Sequence, residues 1–492
     1  MATPSRPELF TRDSLFLGGE WVPKPDNPRI DIVNPADEEV IGSVPAAGPA
    51  EVDEAIRIAV EASRSNPWHE LSFVERGEII GRIGDELAAR ADDLAESYIF
   101  DQGGLRSFAG YIVPQAVGIF TEHRNIAKEL PAEPVWREAG GERNLITYEP
   151  AGPLLAIVPW NAPIILAAVK IAPALLAGDP VVVKVAPENP SASYILAEAI
   201  AAAGVPAGMI SFLPGRSSGM GNISARPEFA HVAFTGSTEA GVGIMKSAAE
   251  NITGVTLELG GKSPGIFLED IDPVDGARLV IPGSLGQSGQ VCTTYSRLLV
   301  PESRQDEWTQ TLSAVFSSLK VGDPAEEDTV IGPLASPSDR DRVERYLAIA
   351  REEGATILTG GQRPEGLDKG YYVEPTLVTD VTDDMRIVRE EVFGPVITLQ
   401  TYTDIDDAVR IANDTSFGLA AGIFTSDPEK AAATIAPQLE AGNISINNFG
   451  ACLVIPFGGY KKSGLGREGG VENVYELMET KQIRMPMPAM PL

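Results

Sequence analysis

The 492-residue chain is too long for one ordinary hydrophobic core, so two or three domains are expected, and its 43% hydrophobic content reads as soluble and globular. Its 39 basic and 69 acidic residues leave a formal charge of −30, which argues against nucleic acid and against an anionic membrane surface, since both need a basic face. Only two cysteines occur, Cys292 and Cys452, which excludes a disulfide framework and zinc-ligand spacing, leaves no metal site to expect, and fits a reducing, cytoplasmic location.

Residues 1–17 mix arginine and glutamate among apolar residues and hold no hydrophobic leader core. Residues 15–50, with "LFLGGEWV" and "IDIVNPADEEVIGSV", predict short strands and turns. Helical periodicity begins at Glu51, with Val52, Ile56, Ala59 and Ser63 on one stripe, and helical character continues to Gly103. The longest uncharged stretch, 150–169, is broken by Pro153, Pro159, Asn161 and Pro163, so it predicts a strand, a turn and a helix start, not a membrane span. Strands ("LLAIV", "VVVK", "MISFL", "HVAFTGS", "VTLELGG") then alternate with helices. One helix, "IILAAVKIAPALLAG", ends at Gly178; another, "SASYILAEAIAAAG", has Ser191 as its cap and Gly204 as its stop. That alternation over 154–260 predicts an α/β fold with a doubly wound parallel sheet, which binds ligands beyond the carboxyl ends of its strands. A second alternating region runs to about residue 460. Neither a repeat nor a low-complexity linker separates the halves, which predicts two packed domains with the active site between them.

Taken singly, the chemical candidates are modest. Cys292 in "GQSGQVCTTYSR" reads as a buried structural cysteine. A Cys–His hydrolase lacks support, because His69, His123 and His231 lie in no catalytic-looking motif. Glu258 ends a strand before Gly-Gly; it is either a satisfied ion pair or a general base with a raised pKa. Asn161 in "IVPWNAPI" is a turn cap or an oxyanion donor. "FTGSTEAG" joins a strand to a helix whose N-terminus suits a phosphate.

Together these segments resemble the aldehyde dehydrogenase superfamily over nearly the whole chain. "PWNAPI", "FTGST", "LELGGKSP", "GQVC", "EEVFGPV", "NDTSFGLAAGIFT" and "PFGGYKKSG" stand in family order, and the step from Glu258 to Cys292 fits. The resemblance implies oxidation of an aldehyde to the acid with NAD(P)+ and water. Cys292 would be the nucleophile, passing through a thiohemiacetal and a thioester, Asn161 the oxyanion donor and Glu258 the base that hydrolyses the thioester. The glutamate speaks against an acylating, coenzyme A-dependent relative. Cofactor contacts would be Lys184, Ser237, Glu391 and Phe393, with Trp160, Lys170, Gly215 and Leu259 beside them. Pro187 stands where many NAD-preferring relatives carry a ribose-gripping glutamate, so NADP stays open beside NAD.

Positions often aromatic in relatives are small here: Ala162, Val169 and Gly286. Phe449 and Phe457 would remain as aromatic walls, with Leu166, Thr293, Cys452 and Leu453 nearby. A bulky, apolar or aromatic aldehyde is therefore expected. The resemblance also implies three parts: a dinucleotide-binding domain (1–128 and 151–259), a catalytic domain (260–460) and a small β oligomerisation element (129–150 and 461–492). "RNLITYEPAG" would be a protruding hairpin and "VYELMETKQIRM" a strand completing a neighbour's sheet, giving a homodimer or homotetramer.

Overall fold

The strand–helix alternation after Leu154 builds the first of two large sheets. In the computed structural model, which describes residues 1–140 and 142–486, this sheet has eight strands. Five run parallel, in the spatial order Gly254–Glu258, His231–Thr235, Leu154–Ile157, Val181–Val185, Ile210–Pro214. Strand Leu154–Ile157 therefore has its successor in sequence on one side and a later strand on the other. That is a topological switch point, where a crevice opens beyond the carboxyl ends. The hairpin Ser14–Leu17 and Glu20–Pro23 extends one edge antiparallel, and Gly464–Leu465 closes the other.

The helices form where expected, with instructive differences. Helix Pro49–Arg64 buries Val52, Ala55, Ile56 and Ala59. The stretch to Gly103 is two helices, Phe73–Ala88 and Ala91–Phe100. Helix Pro163–Ala177 is buried almost all round and stops at Gly178, whose φ of 110° favours glycine. In helix Ser191–Ala203 the predicted serine cap is not the cap. Pro190 stands at that position, and the buried Asp101 carboxylate accepts the Ser191 N–H at 2.9 Å.

The second sheet has seven strands, parallel except for the edge strand Thr356–Thr359, in the order Thr356–Thr359, Thr376–Thr379, Val396–Tyr402, Tyr295–Pro301, Ser263–Phe267, Ala420–Phe424, Asn443–Ile446. Only residues 259–262 connect strand Gly254–Glu258 of the first sheet to strand Ser263–Phe267 of the second.

A third, small sheet differs from expectation. Its hairpin is Val135–Ala139 with Glu142–Pro150. The C-terminal strand Met478–Pro486 pairs antiparallel along the whole of Glu142–Pro150, so it is part of the chain's own sheet and stands at its edge. Nine consecutive in-register pairs hold it there. Residues 461–477 do not belong to this sheet: Gly464–Leu465 joins the first sheet, and helix Gly470–Glu476 packs on helix Pro163–Ala177. Residues 141 and 487–492 of the expected oligomerisation element lie outside the described residues. Among the described residues no helix is long and apolar enough to cross a membrane.

Candidate active site

Cys292 sits in the loop between helix Pro273–Leu285 and strand Tyr295–Pro301 of the second sheet. The loop is strained: Gln287 and Ser288 have φ of 50° and 55°, in the left-handed region. Such conformations cost about 1–3 kcal/mol each and persist only when the surroundings hold them. Here the Ser288 hydroxyl donates to the Gly332 carbonyl at 2.9 Å, and Gln290 Oε1 accepts the Ala335 N–H at 2.9 Å. The Gln287 amide donates to the Asn161 carbonyl and accepts from the Tyr98 hydroxyl at 3.3 Å. Enclosure pushes the Cys292 thiol up to about 12, and the carboxylates of Glu391 and Glu258 add to that; the backbone N–H groups of Cys292 and Thr293 act the other way.

Asn161 follows strand Leu154–Ile157 at the switch point and is buried. Its Nδ2 donates to the Gln290 carbonyl at 3.1 Å, two residues before Cys292, and its own carbonyl accepts from Gln102 and Gln287. One N–H of the amide is left for another acceptor.

Glu258 ends the last parallel strand of the first sheet and is only 3% exposed, yet neither carboxylate oxygen has a hydrogen-bond partner among the described residues. Burial holds its pKa well above the ordinary carboxylate range and Glu468 raises it further, while Lys170 and Arg467 pull it down. Lys170 therefore takes a different place from the cofactor contact expected of it. It is fully buried and binds Glu468 Oε1 at 2.5 Å and Thr235 Oγ1 at 2.6 Å, because a buried ammonium needs a counter-charge and acceptors.

The crevice beyond the parallel strands gathers the expected cofactor residues. The Lys184 ammonium is largely buried with no acceptor among the described residues; burial and Arg216 lower its pKa, against Glu188. Gly215 lies so close to Ala47 that a Cβ would stand 3.1 Å from the Ala47 carbonyl oxygen. Ser237 caps helix Thr238–Ala249 and is exposed at its N-terminus. Leu259 packs over Gly241 of that helix. At the other end, Glu391 Oε1 accepts the Gly261 N–H at 3.0 Å, and burial pushes this carboxyl up to about 7. The rings of Phe393 and Trp160 meet edge to face at 5.6 Å. Arg342 fixes the turn by donating to the carbonyls of Val392 and Phe393 at 2.9 and 3.3 Å. An unpaired cation, an open helix N-terminus and an aromatic slot suit a dinucleotide.

Cys292, with Val291, lines two cavities. One, of about 260 Å³, is lined by Gly261, Cys292, Glu391 and Phe393. The other is an open cavity of about 860 Å³ lined by Asn161, Cys292 and apolar side chains. Of the expected lining, Ala162, Leu166, Gly286, Thr293, Phe449, Leu453 and Phe457 line it. Val169 does not: one helical turn beyond Ile165 and Leu166, it is 1% exposed in the core, because helix Pro163–Ala177 runs inward. Cys452 does not either; it is exposed, while its neighbours Ala451 and Leu453 line the cavity.

The family model described as "Aldehyde dehydrogenase family" matches residues 21–483. The chain belongs to the aldehyde dehydrogenase family. It is 38% identical over 473 residues to a Staphylococcus haemolyticus protein named "Putative aldehyde dehydrogenase", covering 95% of this chain and 98% of that one. Betaine aldehyde dehydrogenase from Staphylococcus aureus, solved with NAD+, superposes with a TM-score of 0.93 at 34% identity, covering 98% of this chain and 95% of that one. Aldehyde dehydrogenase from Bacillus cereus, also in complex with NAD+, gives 0.94 at 33% identity and covers 99% of each chain.

Sequence reasoning missed several residues of this aldehyde dehydrogenase site. Gln102 and Gln287 hold Asn161, Glu468 pairs with Lys170, and Phe108, Tyr111 and Gln115 line the larger cavity. Only Glu468 carried a local clue, a carboxylate set in the Gly-rich "GREGG".

Proposed function

We propose that this enzyme oxidises a bulky apolar or aromatic aldehyde to its carboxylic acid, with NAD(P)+ and water, through a thioester on Cys292. The observation that carries the reading is that Cys292 walls both the apolar cavity and the cleft that ends in Glu391 and Phe393. When bound, the nicotinamide cofactor supplies the hydride acceptor. Lys184, Gly215 and Ser237 would hold its adenosine and pyrophosphate, and Trp160, Leu259, Glu391 and Phe393 its nicotinamide riboside. The Cys292 sulfur, once deprotonated, adds to the carbonyl carbon. The free N–H of Asn161 and the Cys292 backbone N–H hold the oxyanion. Hydride loss collapses this thiohemiacetal to a thioester. Ionised Glu258 takes a proton from water, and the hydroxide displaces the Cys292 sulfur to release the acid.

The proposed cofactor is NAD, the one named with the solved relatives. NADP is also admitted, because Pro187 puts no carboxylate against a 2′-phosphate. Residues 1–128 and 151–259 would form the cofactor unit and 260–460 the catalytic unit, in the cytoplasm. A homodimer or homotetramer is favoured by the open edge of strand Val135–Ala139 and by the exposed Trp136, Ile483 and Met485 on that sheet.

A quaternary-ammonium aldehyde is a second reading, suggested by the name of the Staphylococcus aureus relative and by the rings of Phe108, Tyr111 and Phe449. The apolar reading is preferred because Phe108 and Phe449 stack on each other at 6.4 Å, and no acidic side chain lines the cavity.

Nicotinamide reduction with NAD and with NADP, over a panel of aromatic, long-chain, betaine and succinate semialdehydes, tests the reading. Aromatic or long-chain aldehydes should lead; a lead for succinate semialdehyde or betaine aldehyde would refute the proposed class. Glu258→Gln should accumulate an acyl adduct on Cys292 in intact-mass spectra. Full turnover without an adduct would remove Glu258 as the base.

A further inference from the structure

The larger cavity is apolar but for Cys292 and five other side chains: Tyr111, Gln115, Asn161, Gln287 and Thr293. Three of these belong to the reacting end. Asn161 and Gln287 hold the nucleophile loop through their own hydrogen bonds, and Thr293 adjoins Cys292. Tyr111 and Gln115 come from elsewhere. They stand four residues apart on one face of helix Arg106–Glu129, together with Phe108 and Ile112, which also line the cavity. The Tyr111 hydroxyl points to Gly450 of the facing loop, where a Cβ would stand 2.6 Å from it. Neither side chain has a hydrogen-bond partner among the described residues, and both are half-buried. Around them Phe108, Tyr111 and Phe449 cluster at 5.2, 5.9 and 6.4 Å between ring centroids.

A wholly apolar substrate filling this cavity strips water from a phenol and an amide and returns nothing, which is costly. A charged substituent fares worse, because no charged side chain lines the cavity to pair with it. A neutral hydroxyl or ether oxygen satisfies both groups, since phenol and carboxamide each offer a donor and an acceptor. Building on the proposed substrate class, we propose that Tyr111 and Gln115 form a specificity subsite for a neutral oxygen substituent at the end of the aldehyde away from the carbonyl. The three rings would clasp the flat or apolar body between.

Isosteric pairs test this directly: 4-(hydroxymethyl)benzaldehyde against 4-ethylbenzaldehyde, and the cinnamaldehydes with the same two substituents, which reach further. The readout is the ratio of kcat/KM, hydroxymethyl over ethyl. In Gln115→Leu that ratio should fall about tenfold for at least one pair, the weight of one hydrogen bond. Tyr111→Phe keeps the ring and should move it the same way. Ratios unchanged in both variants would overturn the subsite alone. If the wild type oxidises none of these aldehydes, the proposed substrate class falls, and the subsite with it.

Discussion

At the scale of single residues, Glu258 concentrates the chemistry. A buried carboxylate with two unpartnered oxygens is expensive to ionise, so its pKa stands well above the ordinary carboxylate range. A base acts only in its ionised form. Thioester hydrolysis should therefore rise with pH along a limb set by this raised value, and the limb should vanish in Glu258→Gln. Glu468 raises the value, and in the folded chain it also occupies Lys170. Replacing Glu468 with Gln removes the like charge, so the limb should move to lower pH. The pH profile of kcat checks this, and a move to higher pH would contradict it.

At the scale of elements, the turn between the two large sheets does two jobs. The Gly261 N–H holds Glu391, and a Cβ on Gly261 would stand 2.5 Å from the Cys292 carbonyl oxygen. The turn thus fixes the nucleophile loop against the cofactor cleft, and no side chain fits there. Gly261→Ala should displace that loop and lower kcat/KM by about a hundredfold or more, the effect of a misplacement near 1 Å. Melting by calorimetry should show a shift of only a few degrees, since the turn sits at the seam and not in a core. Near wild-type activity would show that the loop has slack.

At the scale of the whole molecule, two buried histidines tie stability to pH. His123 and His231 are pushed by burial from 6.5 to about 4. In the folded chain they stay neutral, while in the unfolded chain they bind protons below 6.5. The stability these two groups contribute is complete above 6.5 and is lost as pH falls towards 4, by about 3 kcal/mol for each histidine. His123, whose Nε2 has no partner among the described residues, isolates the effect. In urea midpoints measured at pH 7 and at pH 4.5, wild type should lose stability relative to His123→Gln at the lower pH. A difference that does not change with pH would remove histidine linkage as the cause.

What the sequence by itself determined was local. Apolar runs set the strands of the parallel sheet, glycines set the ends of helices at Gly178 and Gly204, and Asn161, Glu258 and Cys292 each stand at a strand end or strand entry, where such a fold builds its sites. Propensity and periodicity are properties of neighbours along the chain, so these were legible. What the tertiary structure decided lies between distant segments. Lys170 meets Glu468 across 298 residues, Asp101 rather than Ser191 receives the helix N–H, and the C-terminal strand closes on its own chain. The cavity draws one wall from helix Arg106–Glu129, which no motif announced, and leaves out Val169 and Cys452, which their positions in the chain suggested. Periodicity shows which face of a helix is apolar. Whether that face meets a core or a cavity depends on elements hundreds of residues away, and only the packed chain brings them together.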